Sequence, residues 1–371
     1  MPDTAIRNEI IANATSIVVK VGTNAITDAG GRLDTGVVSA LARQIARLMK
    51  SGCSVTLVAS GAIGAGLAEL DLPERPKTLP LLQACAAVGQ SQLMRAFQNA
   101  FKRHGVRVAQ VLVTRDSFEN RTRYLNIRNT LGALADYNVL PIINENDAVS
   151  VDEIRFGDND VIAALVTNMM RAELLVLLSV IDGVMKDGRV LDMIEQVDKD
   201  ALALADDRKS RLGSGGMASK IAAAGLVTKA GETAVIANAR MKDVLTRLKS
   251  GEKIGTVLFP ARQKLSSRRR WIGAASRPQG KLTLDAGAVR AITQRGKSLL
   301  PSGITEVIGK FQKGATVSLI DADGTSVARG LSNYSADQVR RIKGLRTSQV
   351  ARTLGDKPYD EVVHRDNMVL L

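Results

Sequence analysis

Five short segments carry side chains suited to handling phosphate. Lys20-Val21-Gly22-Thr23-Asn24 ends an apolar run with a cation and sets a glycine beside it. Ser60-Gly61-Ala62-Ile63-Gly64-Ala65-Gly66 follows a second apolar run and leads into a helical pattern. Glycines there let peptide N–H groups approach an anion at a helix start, where the dipole also favours negative charge. Gly213-Ser214-Gly215-Gly216-Met217-Ala218-Ser219-Lys220 has the same form, with a lysine in the first turn of the helix it opens. Asn144-Glu145-Asn146-Asp147 lines up four carboxylate or carboxamide side chains, able to orient an ammonium group, a metal or a polar substrate. Gly157-Asp158-Asn159-Asp160 opens an apolar helix and puts Asp160 in its first turn, where it can organise lysines or Mg²⁺. Taken singly, four of them have a plainer explanation, a solvated strand-end lysine, tight helix packing, a helix cap or a flexible linker, whereas the Asn144–Asp147 run is hard to explain as turn chemistry alone. Taken together they point to phosphoryl transfer, which needs reactants held in line and charge neutralised on the moving group. Neither glycine segment has the spacing of a Walker A loop or a dinucleotide fingerprint. With only His104 and His364 in the chain, histidine metal sites and Ser–His–Asp chemistry are poorly supplied.

Positioning such residues is the work of a buried sheet. Near-continuous apolar runs predict strands over 16–21, 54–59, 106–113, 139–144, 174–178 and 233–237, as expected of parallel strands covered on both faces. Val38, Leu41, Ile45 and Leu48 repeat at helical spacing between the first two, with Asp34 placed to cap the start and Gly52 the end. Alternation of this kind predicts an α/β fold, an αβα sandwich around a mainly parallel sheet. Ligands of such sheets bind beyond the carboxyl ends of the strands, where the Lys20, Ser60 and Asn144 segments lie.

The chain of 371 residues exceeds the size at which one core stops growing, so two domains are expected. The pattern breaks near Arg268-Arg269-Arg270 and Arg277-Pro278-Gln279-Gly280. Short strands over 281–284, 316–320, 326–330 and 361–364 follow, with Asp323-Gly324 as a hairpin signal. The expected division is a catalytic domain over 1–262, a linker over 263–279 and a small β-rich domain over 280–371. Residues 263–371 hold nineteen Lys and Arg against nine Asp and Glu, most of the chain's net charge of +14. A basic tail keeps RNA among the possible partners, although Trp271, Phe311, Tyr334 and Tyr359 are widely spaced for base stacking. No apolar run is long enough to cross a membrane, and residues 1–9 lack a signal-peptide core. Cys53 and Cys85 read as small buried hydrophobes of a cytoplasmic protein.

The segments resemble those of the amino-acid kinase family. The likeness rests on Val19-Lys20-Val21-Gly22-Thr23, Ser60-Gly61-Ala62-Ile63, Pro141 to Val149, Gly157-Asp158-Asn159-Asp160 and Gly215-Gly216-Met217-Ala218-Ser219-Lys220. The run through Asn144-Glu145-Asn146-Asp147 is similar to the branch that phosphorylates the γ-carboxylate of L-glutamate at the start of proline synthesis, and residues 280–371 resemble a PUA domain. The resemblance implies ATP and Mg²⁺, with Lys20, Asp160 and Lys220 as catalytic residues and the metal carried on ATP phosphates with Asp160 as a further candidate ligand. It implies that Ser60, Asp147 and Asn159 hold glutamate, with Asn144 nearby. Lys20, Gly61, Ser179, Val180, Ser214, Gly215, Gly216, Met217, Ala218, Ser219 and Lys220 would line the nucleotide. A homotetramer, proline feedback and a reductase that consumes L-glutamate 5-phosphate are implied in the same way. One departure stands out: the family shows Thr-Asp or Ser-Asp where this chain has Ser179-Val180, and the loop over 185–189 is shorter. Two alternatives stay open, an RNA-binding protein with a sensor or relic kinase domain, and a kinase-fold enzyme acting on another acceptor.

Overall fold

Six apolar runs of the first 260 residues become strands at, or within one residue of, the positions their Val, Ile and Leu content predicts. In the computed structural model, which describes residues 4–28, 31–149, 158–204, 216–356 and 358–371, they are β1 (Ser16–Val21), β2 (Ser54–Ala59), β3 (Arg107–Val113), β4 (Val139–Glu145), β5 (Leu174–Ser179) and β7 (Thr233–Asn238). Two short strands, β6 (Met193–Ile194) and β8 (Thr256–Leu258), complete an eight-stranded sheet of order β3-β4-β2-β1-β5-β7-β8-β6. All neighbours run parallel except β7 and β8. The central strand β1 is buried from Ile17 to Val21, as burial of both faces requires.

Helix α1 (Thr35–Lys50) shows how the covering layer is specified. Val38, Leu41, Ala42, Ile45 and Leu48 form its buried stripe, and the Asp34 carboxylate accepts from the N–H groups of Gly36 at 3.0 Å and Val37 at 3.1 Å. Beyond its end Gly52 takes φ +90°, a left-handed conformation open to glycine. Helices α2 (Ala62–Glu69) and α3 (Leu79–Lys102) cross at backbone contact. A Cβ on Gly66 would lie 1.8 Å from the Cys85 carbonyl oxygen, and one on Gly89 would lie 1.9 Å from that of Ala62. Cys53 and Cys85 are both buried free thiols. Helices α4 (Asp158–Met170) and α5 (Met217–Thr228) complete the set that bears on the site.

Contacts divide the chain into two compact units, Met1–Lys264 and Leu265–Leu371. The second is built on a five-stranded sheet of order β10-β9-β11-β12-β13, from β9 (Gly280–Leu284), β10 (Ile304–Gly309), β11 (Thr316–Ile320), β12 (Ser326–Ser332) and β13 (Val363–Leu370). Asp323-Gly324 does turn β11 into antiparallel β12, with Gly324 at φ +83°. Within the stretch 263–279 lies helix α6 (Ser267–Arg270), which continues as a wider turn over Trp271–Ala275 with Trp271 and Ile272 buried. The arginine run is only partly a solvated face: Arg270 is buried and donates to the Leu265 carbonyl, while the more exposed Arg268 and Arg269 donate to Asn367 and to the Arg365 carbonyl on β13. Among the described residues, no helix is long and apolar enough to cross a membrane.

Candidate active site

Two buried lysines share one buried carboxylate at the carboxyl edge of the sheet. Lys20 lies one residue from the end of β1, in register with Val58 and Leu177. Asp160 sits in the first turn of α4, and Lys220 in the first turn of α5. Lys20 Nζ is 2.6 Å from Asp160 Oδ1, and Lys220 Nζ is 3.2 Å from Oδ2. The three residues are 5%, 0% and 5% exposed for Lys20, Asp160 and Lys220. Ser219 Oγ lies 2.8 Å from Asp160 Oδ2 and 3.0 Å from the Gly216 carbonyl oxygen, tying the start of α5 to the cluster. Gly22 lies beside the first cation, and a Cβ there would stand in ordinary contact with Lys20 Nζ at 3.4 Å.

Burial pushes the Lys20 ammonium below its usual value; Asp160 draws it up and Lys220 pushes it down again. For Asp160, burial is the largest single influence and acts upward. The two lysines, with hydrogen bonds from Lys20 and Ser219, outweigh it and hold the carboxyl below its ordinary range. Two ammonium groups against one carboxylate leave one positive charge in excess, in a place where water screens it little. That arrangement favours an anionic ligand. Asp160 itself is engaged on both oxygens, so it does not fit a directly bound Mg²⁺; nor does any group of three or more His, Cys, Asp or Glu converge among the described residues.

A second polar cluster stands at the end of β4. Asn144 is buried, and its Nδ2 donates to Gln90 Oε1 on α3 at 2.7 Å. Its Oδ1 accepts from the Glu145 peptide N–H at 2.9 Å and from Asn159 Nδ2 at 3.0 Å. Asn144 and Asn159, singled out separately in the sequence, are thus directly bonded. Asp147 follows in a turn where the Asn146 N–H donates to the Val113 carbonyl at 2.8 Å. Arg75, between α2 and α3, is pushed below its usual value by partial burial and drawn up by the charge of Asp147. Neither Gln90 nor Arg75 stood out in the sequence, though a glutamine flanking the apolar stripe of α3 is a faint signal. Between the clusters, the Ser60 N–H donates to the Val21 carbonyl at 3.1 Å. Gly61 precedes α2 at φ +113°, with no side chain capping the N–H groups that follow. The Ser60–Gly66 segment therefore divides in role, Gly61 shaping the turn and Gly66 the helix crossing.

Gly216, Met217, Ala218, Ser219 and Lys220 form the uncapped start of α5. Gly157, Ser214 and Gly215 lie outside the described residues. Ser179 ends β5, and Val180 beyond it is 44% exposed. Asp182 in the same loop accepts from Asn238 Nδ2 at 2.9 Å. Residues 185–190 form a two-residue hairpin, Met185–Lys186 against Arg189–Val190. In the second unit Trp271, Phe311 and Tyr334 are buried, and Tyr359 is covered by Lys313, whose Nζ lies 4.7 Å from the ring centroid. Trp271, Phe311 and Tyr334 therefore belong to the core of this unit, while Tyr359 is half-buried.

Residues 15–238 match the Amino acid kinase family and residues 280–354 match the PUA domain. A glutamate 5-kinase of Caldanaerobacter subterraneus subsp. tengcongensis is 45% identical over 96% of this chain and 97% of its own length. One from Geobacter sp. (strain M21) is 43% identical over 98% of this chain and all of its own. Among solved structures, carbamate kinase from Giardia lamblia aligns at TM-score 0.49 and 20% identity, over 67% of this chain and all of that one.

Proposed function

The chain belongs to the amino acid kinase family, and from that membership we propose that it transfers the γ-phosphoryl group of MgATP to the side-chain carboxylate of L-glutamate. The product is L-glutamate 5-phosphate, which opens proline synthesis. The observation that carries this reading is the buried Lys20–Asp160–Lys220 cluster with its excess positive charge.

A glutamate side chain is ionised at neutral pH, with a pKa of about 4.3, so it needs no general base to become a nucleophile. Asp160, held ionised between two cations, has no proton to take up and acts instead by orienting them. A carboxylate oxygen of glutamate bonds to the γ-phosphorus as the bond from that phosphorus to the ADP oxygen breaks, and ADP leaves with the electron pair. Negative charge spreads over the phosphoryl oxygens, where Lys20 and Lys220 stabilise it. In this reading Mg²⁺ arrives as part of MgATP. Gly61 and residues 216–220 face the phosphates with peptide N–H groups, Ser179 and Val180 border the nucleotide, and the nucleotide assignment carries over to Ser214 and Gly215 by the family resemblance alone. Ser60 and Asn159 hold glutamate, Asp147 pairs with its α-ammonium, and Asn144 orients Asn159 by the bond between them. The division into a catalytic domain and a PUA domain, a homotetramer, and reduction of the labile acyl phosphate by a partner enzyme belong to the same reading.

The test is an assay of purified protein with MgATP and L-glutamate, the acyl phosphate trapped by hydroxylamine, beside aspartate, N-acetylglutamate and UMP. Hydroxamate with glutamate alone is expected. Product from another acceptor in place of glutamate would overturn the substrate assignment.

A further inference from the structure

One peptide N–H sets the polarity of three side-chain amides at the end of β4. A peptide N–H only donates, so the Asn144 atom that meets the Glu145 N–H at 2.9 Å is the oxygen. The same oxygen accepts from Asn159 Nδ2 at 3.0 Å, and the Asn159 oxygen in turn faces the Glu145 N–H at 3.3 Å. Asn144 Nδ2 must then point to Gln90, and Gln90 must answer with its own oxygen, at 2.7 Å. What remains is Gln90 Nε2. It carries two N–H donors, is buried, and meets no acceptor among the described residues. A buried donor left without an acceptor is costly, and its orientation here cannot be relieved by flipping the amide, because the flip would set two N–H groups against each other.

We propose that Gln90 Nε2 donates to the α-carboxylate of the amino-acid acceptor and determines its selection, an assignment that rests on the glutamate-kinase reading above. The sheet order decides which carboxylate. Lys20, beside which the phosphoryl group moves, is on β1, whereas Asn144 is on β4, two strands away across β2. Two strand spacings amount to roughly 10 Å. Five carbons in an extended chain span roughly 5 Å, and a contact of hydrogen-bond length at each end closes the remaining distance. The reacting carboxylate occupies the β1 end, so the unreactive one lies toward β4 and Gln90. Helix α3 brings Gln90 there because its neighbour Gly89 packs directly on the Ala62 carbonyl, one residue beyond the Ser60-Gly61 turn.

Gln90→Glu separates this role from a structural one. The variant keeps an oxygen for Asn144 Nδ2 and exchanges the unpartnered donor for an anionic acceptor. Loss of a hydrogen bond to a charged group, with repulsion added, lowers kcat/KM for L-glutamate by about thirtyfold or more, through KM, with KM for ATP unchanged. L-Isoglutamine, which carries an α-carboxamide able to donate, suffers less, so the preference for glutamate over isoglutamine falls by about tenfold or more. An unchanged preference in Gln90→Glu would overturn the assignment, since a residue that only braces Asn144 would leave it unmoved. Should that variant fail to fold, Gln90→Leu takes its place with the same ratio as readout. Wild-type turnover keeps the two readings apart. Its absence with glutamate refutes the kinase assignment and this one with it, whereas turnover with an unmoved preference overturns the role of Gln90 alone.

Discussion

Replacing Asp160 by Asn removes the one negative charge between Lys20 and Lys220 while keeping the shape of the side chain. Both ammonium groups stay where they are, at 5% exposure, and the new carboxamide must turn an N–H₂ group toward one of them. At an effective dielectric near 20, opposite charges about 3 Å apart attract by roughly 5 kcal/mol, much of it offset by desolvation. Deleting one partner of a buried pair costs about 3–5 kcal/mol, because the survivor is left uncompensated. At about 2–4 °C per kcal/mol for a unit of this size, the melting temperature falls on the order of 10 °C. Saturating MgATP returns negative charge to the two lysines, so it raises the melting temperature of Asp160→Asn by more than that of the parent chain. Scanning calorimetry of both proteins, with and without MgATP, measures each quantity. A melting temperature unchanged by the substitution, with equal stabilisation by MgATP, would refute the assignment of Asp160 as the counter-charge of this site.

Lys20→Ala and Lys220→Ala each lower kcat in the hydroxamate assay by about a hundredfold or more, since each removes a cation acting mainly in the transition state; near-normal turnover in both would exclude them from catalysis. The alkaline limb of the kcat/KM profile, which reports the free enzyme, falls below the ordinary lysine value of 10.5, because burial makes Lys20 give up its proton early. Between those two values the unfolded chain holds a proton the native chain lacks, so the contribution of Lys20 to stability rises with pH even as activity is lost. Asp160 behaves oppositely: the stability it confers is complete above its ordinary 3.8 and is lost as pH falls through its lowered native value, which acid titration of the melting temperature measures. Gly89→Ala forces a Cβ to 1.9 Å from the Ala62 oxygen and destabilises by about 1–3 kcal/mol or more, read as a shift in the denaturation midpoint.

Buried strands are legible in this chain because both of their faces are apolar, and β1, β2 and β11 begin and end where their composition says. Edge strands are less so. The run ending at His364 covers only the start of β13, which continues through Arg365, Asp366 and Asn367 to Leu370, and β10, with Glu306 at its centre, carries no strand signal strong enough to see. Both lie at the rims of the five-stranded sheet, where one side needs no apolar residue. In the site, the lysines and Asp160 are legible from their places after strands and at helix starts. Gln90 is not, because its partner Asn144 is 54 residues away and only the fold joins them.

The crossing of α2 and α3 is made by peptide groups pressed together at Gly66 and Gly89, with no side chain between them. Side chains change rotamer and absorb small errors; main chain in contact with main chain does neither. The Ser60-Gly61 turn belongs to one member of that crossing and Gln90 to the other. Their separation is therefore a gauge block, cut to one length by the backbone. On the glutamate-kinase reading an acceptor lies against it, and one shorter by a single methylene loses contact at one end.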